Sequence, residues 1–242
     1  MIEPQQTTRL VLMGSFACAS VVLAACGADD ESTTTSTSVP STTTTSAAAA
    51  GPTGAGAAAI PKAAHIDRSF GSFEGLEPDG RAGIEPPPVA EPDLDAAAEA
   101  AGCELQLELR DEGNKHLVPG QPGPSYETQP PTSGPHSPTP TADGAFTTTP
   151  EAIDYVHSLE HGRVEIQYSP DLPEDDQLRL KGVFDEDFEG MLMFPNPEMP
   201  YEVAVTAWTN LVGCESFDES VLDVVRDFRD EFRGKGPERV PL

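Results

Sequence analysis

A Ser/Thr- and Ala-rich stretch near the N-terminus limits where a packed core can begin. Residues 32–46 are almost all Ser and Thr, and residues 47–59 are almost all Ala, Gly and Pro. Neither segment can bury enough apolar surface to offset the entropy that is lost on ordering. We therefore predict a disordered tether over residues 26–61 and a folded part that lies after it.

The N-terminus has the pattern of a targeting signal. Arg9 precedes an apolar run, residues 10–25, which ends in Leu-Ala-Ala and is followed by Cys26 and a glycine. The run is short and rich in small residues, which makes it a poor membrane-spanning helix. The pattern is typical of a bacterial lipoprotein signal peptide over residues 1–25. Cys26 is then the cysteine that carries the lipid, whose acyl chains include palmitate. An ordinary secretory peptide and an N-terminal anchor are the alternatives.

This signal predicts a location. We expect a lipoprotein of the cell envelope, anchored through Cys26 to the outer face of the cytoplasmic membrane.

The charge of the chain excludes two classes of partner, because 41 Asp and Glu stand against 14 Lys and Arg, a net charge of -27. Nucleic-acid binding and a polybasic membrane contact both need clustered cations. The partners that remain are an envelope protein or the cell wall, and the sequence leaves the oligomeric state open.

The cysteines agree with export. Cys18 lies within the signal and Cys26 is the lipidation residue, which leaves Cys103 and Cys214. An even pair in an oxidising compartment predicts a disulfide between Cys103 and Cys214. Thiolate ligands to a metal are the alternative, although no Cys-x-x-Cys spacing supports them.

The pattern of apolar residues predicts one α+β domain over residues 93–242, preceded by an extended arm over residues 62–92. A mixed β-sheet is packed by helices, and a long loop rich in Pro and Gly runs over residues 113–145. The predicted elements are a helix over 93–102, a strand over 104–110, a helix from Pro150 capped by Thr149, a strand over 164–168, a helix over 172–184, strands over 191–194 and 202–211, and a helix over 220–232.

Four of the five histidines form two patches that suit a metal ion. His116 and His136 lie in the Pro/Gly-rich loop, while His157 and His161 lie on the helix that follows it. The i, i+4 spacing places the rings of His157 and His161 on one helix face, as in chelation of Zn²⁺ or Cu²⁺. With Glu160, these residues also fit the His-x-x-Glu-His pattern of inverted zinc peptidases, in which the glutamate is the general base.

Four segments of the chain form a pattern in a fixed order. The segments are Pro-Pro-Thr-Ser-Gly-Pro-His at 130–136, Val-His-Ser-Leu-Glu-His-Gly-Arg-Val at 156–164, Val-Thr-Ala-Trp at 205–208 and Arg-Gly-Lys-Gly-Pro-Glu at 233–238. Together they resemble the bacterial domain-of-unknown-function 3105 family, and the resemblance covers about residues 100–239. The resemblance implies an exported or membrane-anchored envelope protein, and the family pattern carries a histidine where His116 stands. One departure is Thr209-Asn210, where the family pattern predicts glycine.

These observations favour a domain that binds Cu or Zn, with a role in metal handling or in structure. We predict His136, His157 and His161 as ligands and His116 as the candidate fourth ligand. Glu160 is predicted as an outer partner that orients an imidazole through its free N–H. The alternative is a non-catalytic envelope interaction module in which the histidines form a structural hydrogen-bond network. An enzyme is the third hypothesis.

Overall fold

A computed structural model describes residues 65–67 and 69–242 of the 242-residue chain. All of them belong to one compact unit, Ala55–Leu242. The predicted signal peptide over residues 1–25, the lipidation residue Cys26 and the tether over residues 26–61 lie outside the described residues. Within the described part, no helix combines the length and the apolar character that crossing a membrane requires.

The described residues form a mixed six-stranded sheet with four helices, which confirms the predicted α+β class. In chain order the elements are α1 (Leu94–Ala101), β1 (Glu104–Gln106), β2 (Gly144–Ala145), α2 (Ala152–Glu160), β3 (Val164–Tyr168), α3 (Glu174–Glu186), β4 (Met191–Pro195), β5 (Val203–Ala207), β6 (Asn210–Cys214) and α4 (Val221–Phe232). The strand order in the sheet is β1-β6-β5-β3-β4-β2. Strand β4 pairs in parallel with β2 and with β3, and the other pairs are antiparallel.

Each face of the sheet has its own hydrophobic core. Successive strand residues point to opposite faces, so Met191 and Met193 of β4 pack into one cluster while Leu192 and Phe194 pack into the other. The first cluster includes residues of α1, α3 and α4, and the second includes residues of α2. Of the four helices, three therefore lie on one face of the sheet and α2 lies on the other, together with the long loop.

Two helix starts differ in how they are capped. The Asp93 side chain accepts a hydrogen bond from the Ala96 backbone N–H at 3.1 Å and caps α1, as predicted. The predicted start of α2 at Pro150 with a Thr149 cap is wrong, because α2 begins at Ala152 without a side-chain cap. The Thr149 hydroxyl instead donates to the carbonyl of Pro195 at the end of β4, at 2.8 Å.

Two predicted strands are shorter than their alternating patterns suggest. The strand predicted over 104–110 ends at Gln106, because Glu108 adopts a left-handed conformation with φ of 52°. The strand predicted over 202–211 is instead a hairpin of β5 and β6, with Thr209 at φ of 59° in the turn. Thr209 and Asn210 are the positions where the resemblance predicts glycine, and a threonine adopts the left-handed conformation there.

The disulfide between Cys103 and Cys214 is present, as predicted, and joins the residue before β1 to the last residue of β6. The two cysteines are 111 residues apart in sequence. Closing a loop of that length restricts the unfolded chain. We expect Cys103→Ser to lower the free energy of unfolding by about 2–5 kcal/mol in urea denaturation. Wild-type protein with its disulfide reduced should show the same loss; an unchanged unfolding midpoint in both samples would contradict the prediction.

Candidate metal centre

The long loop brings His116 and His136 side by side through backbone pairing. These two residues form an isolated parallel β-bridge. The Leu117 N–H donates to the His136 carbonyl at 2.7 Å, and the His136 N–H donates to the Lys115 carbonyl at 3.1 Å. The ring centroids of His116 and His136 lie 5.1 Å apart as a result.

The same loop is hydrogen-bonded along α2. The Ser137 N–H donates to the carbonyl of Ile153 at 2.9 Å, and the Thr141 N–H donates to the carbonyl of Asp154 at 3.2 Å. The Ser158 hydroxyl donates back to the Thr141 carbonyl at 2.8 Å. These bonds set the register between loop and helix, so the loop histidines lie over the C-terminal half of α2.

Three imidazoles and one carboxylate converge at this point. One side-chain ligand atom from each of His116, His136, His157 and Glu160 lies within 4.8 Å of all the others. The Glu160 Oε2 lies 3.0 Å from the Nε2 of His136, 3.7 Å from that of His116 and 3.9 Å from that of His157. The structure thus places Glu160 among the ring nitrogens, whereas the sequence predicts it as an outer partner. We call these four residues the three-histidine cluster.

Backbone carbonyls orient two of the three rings. The Nδ1 of His136 lies 2.8 Å from the Gly134 carbonyl, and the Nδ1 of His157 lies 2.7 Å from the Ser137 carbonyl. A neutral imidazole that donates its Nδ1–H to a carbonyl presents the lone pair of its Nε2. Metal-binding histidines typically make this hydrogen bond, which fixes the tautomer and the ring orientation.

His136 has more acceptors around its ring than a neutral imidazole can satisfy. Its two nitrogens lie 2.8 Å from the Gly134 carbonyl and 3.0 Å from the Glu160 carboxylate. A carbonyl and a carboxylate both only accept, and a neutral imidazole has one N–H. One of the two contacts therefore joins two lone pairs unless a further positive charge, a proton or a metal ion, lies between them.

Burial disfavours a proton as the positive charge between His136 and Glu160, because it disfavours the charged form of a histidine ring. Desolvation is the main reason that the pKa values of His136 and His161 lie below the usual range for histidine. Desolvation, followed by the neighbouring ring of His136, lowers the pKa of His157 to about 3. The side chains of His136 and Glu160 are almost fully buried, at 0% and 3% exposure, whereas that of His116 is 48% exposed. The cluster is thus open to solvent at His116.

His161 lies at the edge of the three-histidine cluster. Its Nε2 is 3.0 Å from the Nε2 of His157 and 3.5 Å from the Oε2 of Glu238. With Glu160 and Glu238 it forms a second group whose ligand atoms lie within 4.8 Å of one another. The i, i+4 spacing predicts that the ring of His161 lies beside that of His157, and the structure places it there. The spacing does not predict that two carboxylates lie near this ring.

The turn after α2 is fixed by a buried ion pair. The Nε of Arg163 donates to the Oδ1 of Asp143 at 2.9 Å, and its Nη1 donates to the His161 carbonyl at 3.2 Å. The guanidinium carbon also lies 3.4 Å from the centroid of the Phe70 ring. These contacts hold the C-terminal end of α2, and with it Glu160 and His161, in one position.

Two residues near the histidines were not assigned to the site from the sequence. Trp208 is 8% exposed and its ring packs edge-on to His136, with centroids 6.2 Å apart. Glu238 reaches His161 from the C-terminal segment. Both residues belong to segments that carry the family resemblance, and this resemblance is the sequence signal that could have placed them near the site. The sequence gives no direct indication that either segment returns to α2.

The comparison with known proteins identifies a family, but the description of that family names no activity. No curated protein and no solved structure matches the chain significantly. Residues 122–241 match the sequence model of one family, and this stretch includes the whole cluster except His116. The chain belongs, through residues 122–241, to the family described as Protein of unknown function (DUF3105).

Proposed function

We propose that this protein is an envelope lipoprotein whose domain binds a transition-metal ion, Zn²⁺ or Cu²⁺, in the three-histidine cluster. The observation that carries the proposal is the position of His136 between two oxygen atoms that only accept hydrogen bonds. A metal ion bound to its Nε2 and to the Glu160 carboxylate would turn this unfavourable contact into two coordination bonds.

The separations within the cluster suit a single ion. Two ligand atoms that each lie about 2.0–2.1 Å from a tetrahedral ion are about 3.3 Å apart. The distances from the Glu160 Oε2 to the three ring nitrogens, 3.0, 3.7 and 3.9 Å, lie around this value. Small side-chain movements would complete the coordination, with Glu160 as the fourth ligand. Imidazole suits both Zn²⁺ and Cu²⁺.

The exposure of His116 favours metal handling over a purely structural role. Its side chain is half exposed, while the other three members of the cluster are buried. A ligand on the solvent side gives an ion a route in and out without unfolding of the domain. In the interaction-module alternative the histidines only make hydrogen bonds. That alternative does not account for three Nε2 atoms within 3.9 Å of one carboxylate oxygen.

A metal titration tests the proposal. The purified full-length protein is treated with a chelator, and Zn²⁺ or Cu²⁺ binding is then measured by calorimetry. We expect a tight first equivalent, weakened by His116→Ala and by His157→Ala. His65→Ala is the control, because this histidine lies beside Asp185 and Phe188 and is not a member of the cluster. If neither metal binds, the interaction-module alternative replaces the proposal.

The membrane anchor has its own test. The proposal places the lipid on Cys26, supported by the Leu-Ala-Ala-Cys-Gly sequence at residues 23–27. We expect wild-type protein in the membrane fraction with a lipid-modified Cys26 at the mature N-terminus. Cys26→Ala should release the protein or leave it with an uncleaved signal. Mass spectrometry that finds an unmodified Cys26 in the mature wild-type protein would refute the anchor and leave the metal proposal unaffected.

A further inference from the structure

The C-terminal segment 233–238 is held against the turn that follows α2. The Gly234 N–H donates to the Gly162 carbonyl at 2.8 Å, and the Glu238 N–H donates to the Glu160 carbonyl at 3.1 Å. At Gly236 a Cβ atom would lie 2.2 Å from the Glu160 carbonyl oxygen, so only glycine permits this approach. The segment therefore has one position along α2, and that position fixes Glu238.

This position puts a second carboxylate beside His161. The Oε2 of Glu238 is 3.5 Å from the Nε2 of His161, and the Glu238 side chain is 55% exposed. Ligand atoms of Glu160, His161 and Glu238 all lie within 4.8 Å of one another. The Nδ1 of His161 is buried and has no hydrogen-bond partner among the described residues. The hydrogen bond that this ring makes is the contact of its Nε2 with the Nε2 of His157 at 3.0 Å.

Glu160 is common to both groups of ligand atoms. Its contacts with the rings of His116, His136 and His157 all use Oε2. Its other oxygen, Oε1, is outside these contacts. A carboxylate can bridge two metal ions through its two oxygens, and paired ions in proteins lie about 3.5–4 Å apart. Glu160 is the one residue that the two groups share, and its Oε1 is the atom left for a second ion.

We propose that the C-terminal segment completes a second cation site, made by Glu160, His161 and Glu238, which Glu160 bridges to the three-histidine cluster. This inference rests on the proposed function, because it shares Glu160 with the first ion. One imidazole and two carboxylates suit a divalent ion such as Zn²⁺. The second site is more exposed than the first and has fewer protein ligands, so it fills after the first.

Zn²⁺ titration of the full-length, metal-free protein tests the inference, with stoichiometry from calorimetry and from native mass spectrometry. We expect two equivalents for the wild type and one for Glu238→Gln. The affinity for the second equivalent should fall by at least on the order of 100-fold, since changes to outer partners of metal ligands already cost about 10–100-fold. Glu231→Gln is the matched control, because Glu231 is 56% exposed and pairs with Lys235 near the same segment.

The outcomes separate this inference from the proposed function. Two equivalents in wild type and in Glu231→Gln, with one in Glu238→Gln, support the second site. A single equivalent in the wild type, or two equivalents of unchanged affinity in Glu238→Gln, overturns the second site and leaves the first intact. No Zn²⁺ binding at all to the wild type overturns both.

Discussion

Replacing His136 with alanine is expected to abolish the stabilisation that metal gives to the folded protein. A ligand that binds only the folded state raises the free energy of unfolding by RT ln(1 + [L]/Kd), which is about 4.1 kcal/mol at a free metal concentration 1,000 times Kd. His136 is fully buried and holds the shortest contact to Glu160, at 3.0 Å. Its loss removes a central ligand, so the increment should fall to near zero at the same metal concentration.

The measurement is urea unfolding of each protein with and without Zn²⁺. The metal-dependent increment is compared rather than the absolute stability, because His136→Ala also removes a buried side chain and lowers the stability of the metal-free protein. His65→Ala should keep the full increment, and His116→Ala should keep part of it because its ring is half exposed. A wild-type increment in His136→Ala would show that the ion binds elsewhere.

The fold class was readable from the sequence because its signals are local. Alternating apolar residues identified β3, an unbroken apolar run identified β4, and the Asp93 cap and Gly102 identified α1. The disulfide followed from elimination among four cysteines and was confirmed. The boundaries failed where the backbone takes a left-handed conformation at residues that rarely adopt it, Glu108 and Thr209. Residue propensities carry no signal for such positions, which tertiary contacts determine.

The candidate site was readable only in part, for a similar reason. The spacing of His157, Glu160 and His161 on one helix face follows from helix geometry. The β-bridge that sets His116 beside His136 and the return of Glu238 to α2 depend on long-range backbone hydrogen bonds. Periodicity cannot predict such bonds. A carboxylate that appears as an outer partner in the sequence therefore lies among the ring nitrogens in the structure.

Glu160→Gln should move the stability of the metal-free and the metal-loaded protein in opposite directions. In the metal-free protein, the glutamine amide can donate to the Nε2 of His136, where the carboxylate presents only an acceptor at 3.0 Å. A gained hydrogen bond should raise the free energy of unfolding by about 1 kcal/mol. With metal, a neutral amide replaces an anionic ligand, and affinity should fall by at least on the order of 100-fold. Urea unfolding with and without Zn²⁺ measures both effects.

This opposition of signs distinguishes a metal ligand from a structural carboxylate. In the interaction-module alternative, Glu160 only accepts hydrogen bonds from the histidines. Glu160→Gln would then lower the stability of the metal-free protein, and Zn²⁺ would not change the stability of either protein. Glu165→Gln is the control, since Glu165 is also fully buried and burial raises its pKa well above the usual range. Its carboxyl contacts Thr206 and Gln167 rather than the cluster, so its replacement should leave the metal-dependent increment unchanged.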